Sequence, residues 1–181
     1  MNSGVRLMGT GVIVCGLNGA GKSTLGRALA ERLHFHFIDN ENLYFPKTDP
    51  GYLYATPRTR DEVKRLLLNE IREHGNFVFA SVKGDYGEDV YPLFQYAVWV
   101  DVPRNLRMER VRNRSFQKFG YRMLPGGDLY EQEERFFDFA AARDEDTVKR
   151  WLGDIRCPVI RVDGTKPIEE NVAYIVGKIV K

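Results

Sequence analysis

VIVCGLNGAGKSTLGRAL, Val12 to Leu29, sets an apolar β-branched run against a glycine-rich turn and then against a stretch with helical spacing. The turn fits GxxxxGK[ST] through Gly16, Gly21, Lys22 and Ser23. A loop that wraps a phosphate must aim several backbone N–H groups inward, and Gly16, Gly19 and Gly21 permit the left-handed dihedrals this needs. Lys22 supplies a point charge for the β- and γ-phosphates, Ser23 offers a hydroxyl to Mg²⁺, and the following helix aims its N-terminal dipole at the anion. The expected ATP and Mg²⁺ contacts are therefore Gly16, Asn18, Gly19, Ala20, Gly21, Lys22, Ser23 and Thr24.

The rest of the chain sets bounds on this reading. Its 181 residues are the size of one ordinary domain, with 43% hydrophobic and 29% charged residues, the balance of a soluble globular chain. A net charge of +2 creates no global field for nucleic acid or membrane. Cys15 and Cys157 lie far apart, with no metal-ligand spacing, so reduced and buried thiols in a cytoplasmic protein are expected. Glycines interrupt the apolar runs before Lys22, so neither a signal peptide nor a membrane span is expected there.

Periodicity alternates between strand and helix. Strands are expected at 11–15, 35–39, 77–82, 96–102 and 159–162, and helices at 22–33, 60–74, 104–114, 129–151 and 167–180. Strand runs that are apolar on both faces imply a parallel sheet covered on both sides. Two segments break the alternation and are expected to be irregular: 40–59, with three prolines and four aromatics, and the glycine-rich 115–128. Long irregular insertions in such a fold are usually lids or binding loops. His34 and His36 alternate on the approach to the second strand and are read as packing or surface residues, not as a shared metal site.

The loop near the start of the sequence, the chain length and an arginine-rich segment before a glycine-rich stretch together resemble the adenylate kinase-like P-loop kinases. That group includes nucleoside monophosphate kinases, shikimate kinase and gluconate kinase. The resemblance implies a three-layer α/β fold around a five-stranded parallel sheet, ATP with Mg²⁺, and phosphoryl transfer to a small acceptor. It further implies one domain over 1–181: a core of 1–42, 77–112 and 129–181, an acceptor-binding insertion at 43–76 and a lid at 113–128.

Residue roles follow by position. Asp39, after the second strand, is the first candidate for general base or Mg²⁺ contact, and Glu41 the second. Lys83 and Asp85, in SVKGDYG, depart from the commoner pattern and are candidates for acceptor binding, with Asp85 the alternative base. Asp101 is read as a helix cap. Tyr44, Phe45, Tyr52 and Tyr54 can wall an acceptor ring, and Arg58 and Arg60 can hold a phosphate or carboxylate. Seven cations against one acid between Arg104 and Arg122 resemble the lid arginines of these kinases, with Arg110 and Arg114 gripping phosphates and the transferring group. Arg135 is expected at the acceptor or γ-phosphate, ahead of Arg143, and 163–165 resembles an adenine-contacting turn.

A nucleotide or nucleoside is the favoured acceptor, with a sugar acid or shikimate-like alcohol as the alternative. Two further readings stay open: an ATP-binding regulatory module without specific transfer, and a kinase of polynucleotide ends that would use the 104–122 cations. Neither membrane nor nucleic-acid binding is expected, and the sequence leaves the oligomeric state open.

Overall fold

The computed structural model describes residues 9–180, so the ends of the expected 1–181 domain, 1–8 and 181, lie outside the described residues. In chain order the elements are β1 (Gly11–Cys15), α1 (Lys22–Leu33), β2 (His36–Asp39), α2 (Asn40–Tyr44), α3 (Arg60–His74), β3 (Phe77–Ser81), β4 (Tyr96–Asp101), α4 (Arg104–Phe119), α5 (Tyr130–Ala142), α6 (Thr147–Leu152), β5 (Val159–Asp163) and α7 (Ile168–Ile179). The five strands form one all-parallel sheet in the order β2-β3-β1-β4-β5.

β1 and β3 are buried along their whole length, which is why both read as unbroken apolar runs. Alternate side chains of β1 feed opposite layers. Ile13 and Cys15 join Val63, Leu67 and Phe79 on one side, while Val12 and Val14 join Leu25, Leu29 and Ile175 on the other. β5, at an edge, buries only alternate residues. α3 starts on a capping box between Thr59 and Glu62, so its first residue was legible from sequence.

The departures from expectation cluster around one end of the sheet. The helix expected at 104–114 runs on to Phe119, because Val111, Ser115 and Phe119 continue its buried face. They pack with Met123, Leu129 and Phe137 into a third apolar cluster, joined by Tyr52 and Tyr54. The stretch expected to be irregular from residue 40 opens instead with α2, because the Asp39 carboxylate accepts the Glu41 amide and caps it.

The single helix expected over 129–151 is two. Arg143 takes an extended ψ of 128°, and the Asp144 carboxylate accepts the Asp146 amide at 2.9 Å, a local turn that competes with helix. Asp101 is not the helix cap it was expected to be. α4 begins after Pro103 with no side-chain cap, and Asp101 pairs across the sheet edge with Arg161.

Candidate active site

The glycine loop fills the connection from β1 to α1 at the carboxyl end of the central strand, where parallel sheets collect ligands. Each glycine is needed there, for different reasons. Gly16 is close to extended, but a Cβ on it would lie 2.7 Å from the Val100 carbonyl oxygen. Gly19 takes φ 81°, and a Cβ there would meet the Arg107 carbonyl oxygen at 2.2 Å. α1 then starts directly after Gly21, so its first-turn amides, which have no intrahelical partner, face the loop.

Lys22 folds back to donate to the Leu17 carbonyl at 3.0 Å. Its ammonium is pushed down to about 8, chiefly by burial and then by the guanidiniums of Arg114 and Arg143; Asp39 pulls the other way. Among the described residues no carboxylate lies within ion-pair distance of Arg114 or Arg143. Positive charge is thus concentrated at one point, and Asp39 offsets it only in part. In the same loop the buried side-chain oxygen of Asn18 has no partner among the described residues.

Two cavities meet at the loop and share Gly19 and Arg114. The larger, about 800 Å³, holds Lys22, Ser23, Asp39, Lys83, Asp85 and Arg143. The smaller, about 510 Å³, lies between the loop and residues 164–168, and Arg110 spans it by donating to the Gly164 carbonyl at 3.1 Å. The 163–165 turn is pinned by Asp163, which accepts from both the amide and the hydroxyl of Thr165.

Not every expected site residue reaches these cavities. Ser23, Thr24, Ala20, Gly21 and Asn18 line them, as do Asp39, Glu41, Lys83, Asp85, Arg110 and Arg114. Three expected acceptor residues do not. Arg58 donates to the Asn42 and Leu43 carbonyls and straps the turn after α2. Arg60 stands exposed at the start of α3, 3.9 Å from Asp85 and over the Tyr86 ring. Arg135 lies along α5 beside Glu131, at 3.8 Å. Arg143, ranked behind it on sequence, is the arginine that faces Lys22, because the chain leaves helical geometry at that residue.

The arginine-rich segment divides its labour. Arg107 is buried, donating to the Val102 and Asn18 carbonyls and pairing with Glu145, so it struts the glycine loop from behind. Arg112 pairs with Glu134, and Arg122 pairs with Asp128 and donates to the Gly51 carbonyl. Only Arg110 and Arg114 of the six arginines line the cavities. Sequence reading also missed Glu133, fully buried on α5, which accepts from the Tyr52 hydroxyl at 2.8 Å. The one sequence signal for Arg107 is its phase, four residues before Val111 on the apolar face of α4.

The thiols take no part. Burial pushes Cys15 up to about 12 and also raises the half-buried Cys157. Among the described residues no helix is long and apolar enough to cross a membrane.

Comparison with known proteins agrees with this geometry. Residues 12–119 match the AAA domain family. Over 167 residues the chain is 28% identical to the uncharacterized protein YqaC of Bacillus subtilis, covering 88% of this chain and 91% of that one. It is 29% identical over 115 residues to a shikimate kinase of Thermosynechococcus vestitus, covering 59% of this chain and 62% of the relative. Among solved structures, a shikimate kinase from Acinetobacter baumannii in complex with shikimate superposes with a TM-score of 0.58 at 19% identity, over 95% of this chain and 93% of that one. A gluconokinase from Sinorhizobium meliloti gives 0.52 at 17% identity, over 97% of each chain. At these identities the structures speak for the fold. The family match takes in more than half of the chain, which therefore belongs to the AAA domain family.

Proposed function

We propose that this member of the AAA domain family is an ATP- and Mg²⁺-dependent phosphotransferase acting on a hydroxyl of a small acceptor. The observation that carries the reading is the Lys22, Arg114 and Arg143 cluster, three cations that Asp39 offsets only in part, set against the first turn of α1. Such a cluster is costly to hold together unless a polyanion compensates it.

The donor set fits. First-turn amides and the glycine loop would cradle the phosphates, and Arg110 with the 163–168 turn would flank the nucleoside end in the smaller cavity. Ser23, in the larger cavity, offers a hard hydroxyl oxygen of the kind Mg²⁺ prefers, which leaves the Asp39 carboxylate of the same cavity to act as base. When bound, ATP supplies the γ-phosphoryl group and Mg²⁺ neutralises phosphate charge. Lys22, Arg114 and Arg143 would hold the transferring group and offset the charge that develops on it.

On the acceptor side, Asp39 is the better base. It lies near enough to Lys22 to affect its ionisation, whereas Asp85 is engaged by Lys83 at 2.8 Å. The acceptor oxygen forms a bond to the γ-phosphorus, the bridging bond to ADP breaks, and the hydroxyl proton passes to the Asp39 carboxylate. The aromatic side chains Tyr44, Phe45, Tyr52 and Tyr54 exclude water from this end.

Calorimetry of MgATP binding, run beside an acceptor screen, tests this. Micromolar MgATP binding with phosphorylated product is the expected outcome. Binding without product from any acceptor would instead favour an ATP-gated binding module. Strong salt-dependent binding to oligonucleotides would instead favour the polynucleotide-end reading.

A further inference from the structure

One group of side chains stands apart from both cavities, at the other end of the sheet. His36 opens the edge strand β2 and lies level with Phe77 and Gly11, the first residues of β3 and β1, whereas the glycine loop follows the last residue of β1. Glu70 and His74 are one turn apart at the end of α3, so their side chains leave the helix on one face. α3 is anchored to the sheet through Val63 and Leu67, and the His36 amide is fixed to the Asn76 carbonyl at 3.0 Å. Two anchored elements therefore bring three metal-ligating side chains to one point.

At that point the His36 Nε2 is 2.7 Å from a Glu70 carboxylate oxygen, and the His74 Nε2 is 3.7 Å from the same oxygen. The two imidazoles stack, with centroids 3.5 Å apart and planes 15° from parallel. One ligand atom from each residue lies within 4.8 Å of the others, which among the described residues is true of no other group of three His, Cys, Asp or Glu side chains. His34 is not part of it; it closes α1 in the left-handed conformation at φ 57°.

A tetrahedral zinc ion with bonds of about 2.0–2.1 Å sets its ligand atoms roughly 3.3 Å apart, between the two separations found here. The three side chains are 32% to 38% exposed, so the rings are free to splay and aim each Nε2 at a shared ion, and water reaches a fourth position. Two imidazoles with one carboxylate suit zinc; Mg²⁺ takes oxygen ligands in an octahedron. The His36–Glu70 hydrogen bond uses only one of the two imidazoles, and an ion uses both.

We propose that His36, Glu70 and His74 bind a zinc ion that clips the start of β2 to the last turn of α3. The site is separate from the Mg²⁺ of the phosphotransferase reading and does not depend on it. β2 ends at Asp39, and α3 begins at Arg60 beside Asp85, so the ion ties together two elements whose far ends stand at the larger cavity.

The test uses the full chain, stripped of metal with a chelator that is then removed, and titrated with zinc chloride in the presence of Mg²⁺. The expected result is one zinc per chain with a Kd of about 1 µM or tighter, and a Tm raised by several degrees at about a hundredfold excess of zinc over that Kd. His74→Ala and Glu70→Gln should each weaken binding at least about tenfold, with thermal unfolding of the metal-free variants confirming that the fold is kept. His34→Asn, a residue that tolerates the left-handed position, should bind zinc as the unaltered chain does. Absence of zinc binding, binding undiminished in His74→Ala, or a loss in His34→Asn equal to that in His74→Ala overturns the proposal. Binding without a rise in Tm would overturn the role as a clip.

Discussion

The two ends of the larger cavity are lined by the same kinds of side chain and arranged in opposite ways. At the glycine loop, Lys22, Arg114 and Arg143 crowd one another and Asp39 offsets them only in part, while among the described residues no carboxylate is within ion-pair distance of Arg114 or Arg143. At the far end Lys83 pairs with Asp85, Lys47 and Lys118 share Glu41, and Arg58, Arg60 and Arg135 are drawn off to carbonyls, rim and helix surface. A cation cluster left uncompensated costs stability in the free protein and is relieved when an anion arrives. A cation that already has a carboxylate gains less from a second anion, which must first displace the partner. The lesson is that residue type alone does not mark an anion site; the pairing does.

The largest effect that can break this contrast is at Lys22. Lys22→Ala is expected to lower kcat by about 10²–10³-fold, since it removes a preorganised cation at the transferring group. Thermal unfolding of the free protein should not suffer, because the lost charge was already disfavoured by burial. Retained turnover would end the phosphate assignment of this region.

Next comes the choice of base. Asp39→Asn is expected to cost about 10²–10³-fold in kcat, and Asp85→Asn less. The reverse order would transfer the base to Asp85.

Arg143 and Arg135 form the sharpest pair. Arg143→Ala should lower kcat about tenfold to a hundredfold with a smaller change in KM, while Arg135→Ala should stay within about twofold. Steady-state kinetics on the two variants decide it, and equal losses would mean that α5 moves toward the cavity during turnover.

The pH dependence follows from Lys22. Its folded value of about 8 lies below the ordinary 10.5, so between these values the free folded protein holds it neutral while the unfolded chain holds it charged. Stability of the free protein therefore gains from this group as pH rises from 8 toward 10.5. Nucleotide binding restores the charge. ATP binding at pH 9 should take up close to one proton, an uptake that vanishes at pH 7, as read by calorimetry in buffers of different ionisation enthalpy. No uptake at pH 9 would mean that Lys22 does not meet the phosphates.

The smallest effect concerns the strut. Arg107→Ala leaves the Val102 and Asn18 carbonyls without their donor and should cost about 2 kcal/mol, a drop in Tm of several degrees, with a secondary loss in ATP affinity. An unchanged Tm would remove Arg107 from the loop's support.

Much of the scaffold was legible in advance, and for local reasons. β1 and α1 are bounded by glycines whose dihedrals or lack of a Cβ the loop demands, and α3 by a capping box. The order of strands and helices came from periodicity, and the sheet realises it as a single parallel layer. The failures came where a distant contact overrode local signal. α4 continues to Phe119 because a third apolar cluster receives its face, although Ser115 to Asp128 reads as loop. The break after Ala142 depends on one aspartate turn, and that break carries Arg143 to the cavity in place of Arg135.

By itself the sequence determined that a β-strand, a glycine nest and a helix N-terminus stand in line with a lysine and two hydroxyls, because each of those features is fixed by neighbouring residues. Tertiary structure alone decided which cations remain unpaired. Glu41 meets Lys118, Arg107 reaches Asn18, and Arg114 and Arg143 converge on Lys22 only after segments distant in sequence are packed together. Charge compensation is a property of three-dimensional neighbours, and chain order does not encode it.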